Sequence, residues 1–126
     1  PGDRLMPRQI LVIEDDTELV SVYTMILQAQ GYEVILGTTD DDVLDRCRRG
    51  EIDCLVVDYF YPGGDKGNLI RQLRSDPGTT KIPVVLATAY GDMLPKESLP
   101  PVNAILTKPF KVADLVRIIR ECVAPS

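Results

Sequence analysis

Short runs of consecutive apolar residues alternate along this chain with longer stretches in which apolar positions recur every three or four residues. The first run, Ile10-Leu11-Val12-Ile13, is rich in β-branched side chains and predicts a strand buried on both faces. Leu19, Val20, Tyr23, Ile26 and Leu27 follow at helical spacing, with Asp16 or Thr17 placed to cap that helix and Gly31 placed to close it. Val34-Ile35-Leu36 predicts a second strand. Thr39, with Asp42 three residues on, has the form of a capping box ahead of a helix carrying Val43, Leu44 and Cys47, which Gly50 stops. Cys54-Leu55-Val56-Val57 predicts a third strand, and Pro62-Gly63-Gly64-Asp65-Lys66-Gly67 a loop behind it. A helix on Leu69, Ile70 and Leu73 ends near Asp76-Pro77-Gly78. Val84-Val85-Leu86-Ala87 and Ala104-Ile105-Leu106 predict two more strands, and Val112, Leu115, Val116, Ile118 and Ile119 line a final helix.

Strands that alternate with helices imply a parallel sheet covered on both faces, with right-handed crossovers. Five such units predict an α/β fold of the flavodoxin-like, doubly wound kind, with strand order 2-1-3-4-5. Residues 9–124 are expected to form one domain. Residues 1–8 read as an N-terminal extension, a linker or a cloning remnant. In open sheets of this class, ligands bind beyond the carboxyl ends of the strands, where the strand order reverses.

The composition narrows the classes without choosing among them. The chain has 126 residues, 44% hydrophobic and 26% charged, which suits one globular domain. With 14 lysines and arginines against 19 acids the formal charge is −5, which argues against direct binding of nucleic acid or an anionic membrane. No apolar run has the length of a membrane span, and no signal-peptide pattern opens the chain. Cys47, Cys54 and Cys122 form no CxxC pair and histidine is absent, so a zinc site or a thiol–histidine enzyme is poorly supported. The odd cysteine count suits a reducing, cytoplasmic setting, with all three read as small buried or half-buried apolar residues.

The candidate chemistry stands at the predicted strand ends. Strand one ends in Glu14-Asp15-Asp16, strand three in Asp58, strand four in Thr88 and strand five in Lys108-Pro109. Taken singly, each has an ordinary explanation. Asp16 is a helix cap, Asp58 turn chemistry, Thr88 a strand end and Lys108 a solvated surface group. Together they fall at one edge of one sheet. In the expected order strands one and three are neighbours, so their acids converge. Carboxylates that share a crevice stay ionised only if a cation or hydrogen-bond donors compensate. Mg²⁺ suits such a set, and Lys108 supplies a point charge suited to a phosphate oxygen.

The ordered pieces Ile10-Leu11-Val12-Ile13-Glu14-Asp15-Asp16, Leu55-Val56-Val57-Asp58 with Pro62, Ile82-Pro83-Val84-Val85-Leu86-Ala87-Thr88-Ala89 and Leu106-Thr107-Lys108-Pro109-Phe110 resemble the receiver domain of bacterial two-component response regulators. The resemblance spans roughly residues 9 to 123. It implies a phosphoacceptor switch in which Asp58 takes a phosphoryl group from a phosphohistidine. Asp15, Asp58 and the main-chain carbonyl of Phe60 would ligate Mg²⁺, and Glu14 would act through a metal-bound water. Lys108, Thr88 and the amide of Ala89 would contact the phosphoryl oxygens. A histidine kinase or phosphotransfer protein is the implied donor and a downstream output domain or protein the recipient, with a homodimer also open. A domain of this kind assists its own phosphorylation and dephosphorylation without being classed as an enzyme.

The chain departs from the family pattern in several places. Ile105 stands where an aromatic switch residue is usual, with Tyr90 close by as a substitute. The segment 92–103 holds Pro95, Pro100 and Pro101, and proline inside a helix costs about 3 kcal/mol or more, so a shortened or irregular fourth helix is expected. Phe60 and Tyr90 are expected to screen the acyl phosphate from water. Two other functional classes compete. One is a degenerate receiver that acts through protein contacts without phosphorylation. The other is a Mg²⁺-dependent phosphohydrolase on the same fold, which lacks its usual two aspartates spaced by one residue after strand one. A nucleotide or flavin site is opposed by the absence of a glycine-rich motif there.

Overall fold

The strands and helices expected from the apolar runs are present in a computed structural model, which describes residues 6–59, 66–89 and 100–124. The elements are β1 Gln9–Ile13, α1 Thr17–Ala29, β2 Glu33–Leu36, α2 Asp40–Arg48, β3 Cys54–Asp58, α3 Gly67–Ser75, β4 Val84–Thr88, β5 Ala104–Thr107 and α4 Val112–Val123. All pairings are parallel and the sheet order is β2-β1-β3-β4-β5, the flavodoxin-like order. Much of the segment 92–103, where the shortened helix was expected, lies outside the described residues. So do Phe60 and Tyr90.

Two apolar layers sandwich the sheet, and strand alternation sorts side chains between them. Leu11, Leu55, Val57, Val84 and Leu86 point to one side and pack with Val43, Leu44, Leu69 and Leu73 of α2 and α3. Ile10, Val12, Val56, Val85, Ala87 and Leu106 point to the other, against Tyr23 and Leu27 of α1 and Leu115 and Ile119 of α4. Because both faces are covered, the central strands read as continuous apolar runs. Each buried Leu, Ile or Val contributes about 1.5–3 kcal/mol relative to exposure.

Local signals set the helix ends. Asp16 caps α1, accepting from the amides of Glu18 at 3.0 Å and Leu19 at 3.3 Å. Gly31 and Gly50 close α1 and α2 with φ of 90° and 74°, a region that costs glycine nothing. The capping box of α2 is only half formed. Thr39 accepts from the Asp42 amide at 3.1 Å, but the Asp42 carboxylate takes the Thr38 hydroxyl at 3.0 Å and the Arg46 guanidinium instead. At the far edge of the sheet Arg74 donates to the carbonyls of Thr80, Ile82 and Pro101 and to Asn103, bracing the entries to β4 and β5. Val112, expected on the inner stripe of the last helix, is 57% exposed. Among the described residues no helix is long and apolar enough to cross a membrane.

The cysteines are free, with Cys47 and Cys54 buried and Cys122 half-buried. Burial pushes the Cys47 thiol up to about 11. A hydrogen bond to Cys122, together with burial, raises Cys54, and the same bond lowers Cys122. Native-state alkylation with iodoacetamide, followed by peptide mass mapping, is therefore expected to modify Cys122 first and to spare Cys47 and Cys54 until the chain unfolds. Faster labelling of Cys47 than of Cys122 would contradict this packing.

Candidate functional site

The C-terminal edge of the sheet gathers most of the buried charge. Glu14 follows β1 directly and its side chain is 3% exposed, while Asp58 ends β3 with a side chain 13% exposed. Parallel pairing of β1 with β3 brings the two acids together. One oxygen each from Glu14, Asp15 and Asp58 lies within 4.8 Å of the others. Lys108, just beyond β5, reaches across this cluster. Its Nζ donates to Glu14 Oε1 at 2.8 Å and lies 3.5 Å from Asp58 Oδ2. The Asp16 amide donates to the other Glu14 oxygen at 3.3 Å.

Three carboxylates against one ammonium leave the cluster negative. Burial pushes the Glu14 carboxyl above its ordinary value, and the Asp58 charge adds to the rise. The hydrogen bonds from Lys108 and from the Asp16 amide oppose it. The donor set is made of oxygen alone, and the chain has no histidine. Such a set fits a hard divalent cation such as Mg²⁺ and does not fit zinc. Asp15 is exposed, so a cation held here would keep access to water.

The remaining expected residues lie along the same edge. Thr88 ends β4 and is 1% exposed. Its carbonyl accepts from the Lys108 amide at 2.9 Å, which locks the lysine-bearing turn to β4. Ala89 is exposed and lines, with Lys108, a groove of about 440 Å³ beside the cluster. Asp16 serves as the α1 cap and stands outside the carboxylate cluster. Ile105 is 39% exposed on β5. The Phe60 carbonyl and Tyr90 lie outside the described residues.

Sequence patterning did not find the groove. Its α1 wall is Leu19, Val22 and Ile26, and Val112 and Phe110 close the far side. Val22, 40% exposed, lies off the inner stripe of α1, so the signal was an apolar band wider than one buried face requires. The lining is almost wholly apolar apart from the Lys108 head group. Tyr23 was read as a core residue, and its buried hydroxyl gave no pattern of its own.

The family profile described as the response regulator receiver domain matches residues 10–120. The chain is 28% identical over 117 residues to the phosphate regulon transcriptional regulatory protein PhoB of Escherichia coli (strain K12), covering 91% of this chain and 51% of that protein. It is 30% identical over 119 residues to the DNA-binding response regulator MtrA of Mycobacterium tuberculosis (strain CDC 1551 / Oshkosh), covering 91% of this chain and 50% of that one. The chain thus spans about half the length of these relatives. Among solved structures, the receiver domain of a sensor histidine kinase from Pseudomonas aeruginosa PAO1 superposes with a TM-score of 0.82 and 26% identity, covering 94% of this chain and 99% of that chain. That structure holds a magnesium ion coordinated in its active site cleft.

Clustered carboxylates carry a definite thermal signature. Asp15→Asn and Asp58→Asn are each expected to raise the ion-free melting temperature by roughly 2–6 °C, because each removes repulsion, and to shrink the further rise that Mg²⁺ produces. The folded chain also holds the Glu14 proton to higher pH than the unfolded chain. This group's contribution to ion-free stability therefore falls as pH rises from its ordinary 4.5 through its raised value. Melting curves with and without Mg²⁺ across that interval check both statements. Lower ion-free melting temperatures in both variants would show that the repulsion is not a net cost.

Proposed function

The chain belongs to the response regulator receiver domain family, and from that premise we propose that Asp58 is the phosphoacceptor of a two-component switch. The observation that carries this reading is Lys108 reaching both Glu14 and Asp58 at the point where the strand order reverses. A carboxylate oxygen of Asp58 attacks the phosphorus of a phosphohistidine on a partner kinase or phosphotransfer protein. A P–O bond forms, the P–N bond breaks, and the imidazole leaves with its electron pair. Such transfer needs in-line positioning and neutralised charge far more than covalent help from the protein.

Each residue then has a part. Asp58 stands at the mouth of the edge with 13% of its side chain exposed, open to an incoming phosphorus. Lys108 moves its ammonium from Glu14 onto a phosphoryl oxygen, a short displacement from a group already 3.5 Å from Asp58. The Thr88 hydroxyl and the Ala89 amide supply further donors to the phosphoryl group. Asp15 and Asp58, with the Phe60 carbonyl, would hold Mg²⁺, and Glu14 would orient one of its waters. Bound there, Mg²⁺ would supply positive charge against the carboxylates and the phosphoryl oxygens. Thr88 would move inward onto the phosphoryl group once Asp58 is loaded, and that movement biases the surface around β5 and α4 between two arrangements, which is how the switch reaches an output domain or protein. The domain proper is residues 9–124.

The apolar groove supports a docking site for the donor. Leu19, Val22 and Ile26 face it beside Lys108, so a helix that carries the phosphohistidine could bury its own apolar face there and aim the imidazole at Asp58. The free thiols suit a cytoplasmic setting. The output served by such a switch belongs to whatever the domain is joined to or binds.

Incubation with Mg²⁺ and acetyl phosphate, read by intact mass, is expected to add one phosphoryl group that is lost in Asp58→Ala. Lys108→Ala should keep Mg²⁺ binding and slow phosphorylation by about a hundredfold, the usual loss on removing a positioned transition-state donor. No adduct in the wild-type chain, together with no response to beryllofluoride, would replace this reading with a phosphorylation-independent interaction module.

A further inference from the structure

Tyr23 occupies the second turn of α1 and is 1% exposed. Its hydroxyl is the one buried side-chain oxygen or nitrogen among the described residues without a hydrogen-bond partner. Folded proteins rarely leave such a group standing, because phenylalanine would fill the same volume at no polar cost. The ring is fixed by stacking on Phe110, with centroids 5.3 Å apart and planes 21° from parallel. Phe110 follows Lys108 by two residues.

Three members of the charged cluster are in line with the sheet face on which Tyr23 packs. Glu14 continues the alternation of Ile10 and Val12, Asp58 that of Cys54 and Val56, and Lys108 that of Ala104 and Leu106. All of these apolar residues pack in the layer that contains Tyr23. The negative charges of Glu14 and Asp58 both act on the phenol, holding it neutral as burial already does. The hydroxyl is thus a buried, unpartnered proton donor that lies in the field of two carboxylates.

The ion-pair geometry gives that donor a task. Glu14, with a side chain 3% exposed, depends on Lys108 at 2.8 Å and on the Asp16 amide at 3.3 Å. When Lys108 turns to a phosphoryl group on Asp58, Glu14 loses the stronger of the two. Apart from the metal-bound water it would orient, Glu14 finds no replacement among the neighbouring inner positions of α1 and α4 (Leu19, Ile26, Leu27, Leu115, Ile119), which are apolar. We propose that Tyr23 is a positioning residue, whose hydroxyl donates to the Glu14 carboxylate once Lys108 has moved to the phosphoryl group. This rests on Asp58 being the phosphoacceptor. No proton is transferred: one hydrogen bond to Glu14 is exchanged for another, and Glu14 stays ionised and oriented.

Tyr23→Phe removes the oxygen and keeps the ring on Phe110. The variant is expected to melt, without ligand, at or above the wild-type temperature. It should bind Mg²⁺ alone unchanged, since Lys108 still serves Glu14 in that state. With Mg²⁺ present it should bind beryllofluoride about tenfold more weakly, as befits loss of a hydrogen bond to a charged group. In the wild-type protein the ¹³Cζ resonance of Tyr23 should shift when beryllofluoride joins Mg²⁺ and not with Mg²⁺ alone, a readout that needs no variant. Wild-type beryllofluoride affinity in Tyr23→Phe, or an unmoved Tyr23 resonance in a protein that binds the mimic, overturns the proposal. So does a variant that melts lower and loses both ligands equally, which would mark a purely structural hydroxyl. Failure of the wild-type chain itself to bind beryllofluoride removes the phosphoacceptor reading, and this proposal with it.

Discussion

Lys108 sits between two buried or half-buried carboxylates that would otherwise repel each other across a few ångströms. Glu14 and Asp58 offer oxygens within 4.8 Å, a spacing at which two like charges cost on the order of 3 kcal/mol at an effective dielectric near 20. The ammonium, 2.8 Å from one and 3.5 Å from the other, offsets much of that cost and leaves the rest. An edge that is stable enough to fold and still short of positive charge is primed for a divalent cation and a phosphoryl group. The other features of the site take their meaning from this imbalance.

The fold creates the imbalance through plain strand geometry. Parallel pairing in the order β2-β1-β3-β4-β5 makes every strand end at one edge, and it sets β1 beside β3. Alternation then sets Glu14, Asp58 and Lys108 in line with the strand positions that face α1 and α4. The two apolar layers hold those strands rigidly. Arg74 braces the opposite edge by tying α3 to the entries of β4 and β5. A packed scaffold of this sort lets one lysine, 94 residues from its partner in sequence, meet it within hydrogen-bond distance. The C-terminal edge stays partly open while the central strands are covered on both faces.

Much of this was legible before any coordinates. Runs such as Ile10–Ile13 and Cys54–Val57 declare buried parallel strands because both faces demand apolar side chains, and Gly31 and Gly50 mark helix ends because their backbone requires positive φ. Glu14, Asp15, Asp58, Thr88 and Lys108 were visible as polar residues at the ends of such runs. What the pattern hid is anything that depends on two distant segments meeting. The Lys108–Glu14 bond is one case and the Arg74 brace another, since a single arginine in a helix pattern reads as solvated. Tyr23 was hidden for a different reason. Its spacing is that of a core residue, which it is, and spacing says nothing about where a phenol oxygen ends up. Val22 was hidden because it lies off the inner stripe of α1, while Val112 was assigned to the inner stripe of the last helix and is exposed instead.

The central claim is that Lys108 is shared by Glu14 and Asp58 at rest and leaves Glu14 when the acceptor is loaded. A structure determined with Mg²⁺ and beryllofluoride tests it most directly. The account predicts a beryllofluoride group on an Asp58 oxygen, with Lys108 Nζ bonded to a fluorine and withdrawn from Glu14. A mimic seated on Asp58 while Lys108 remains on Glu14 Oε1, or no mimic on Asp58 at all, would contradict it.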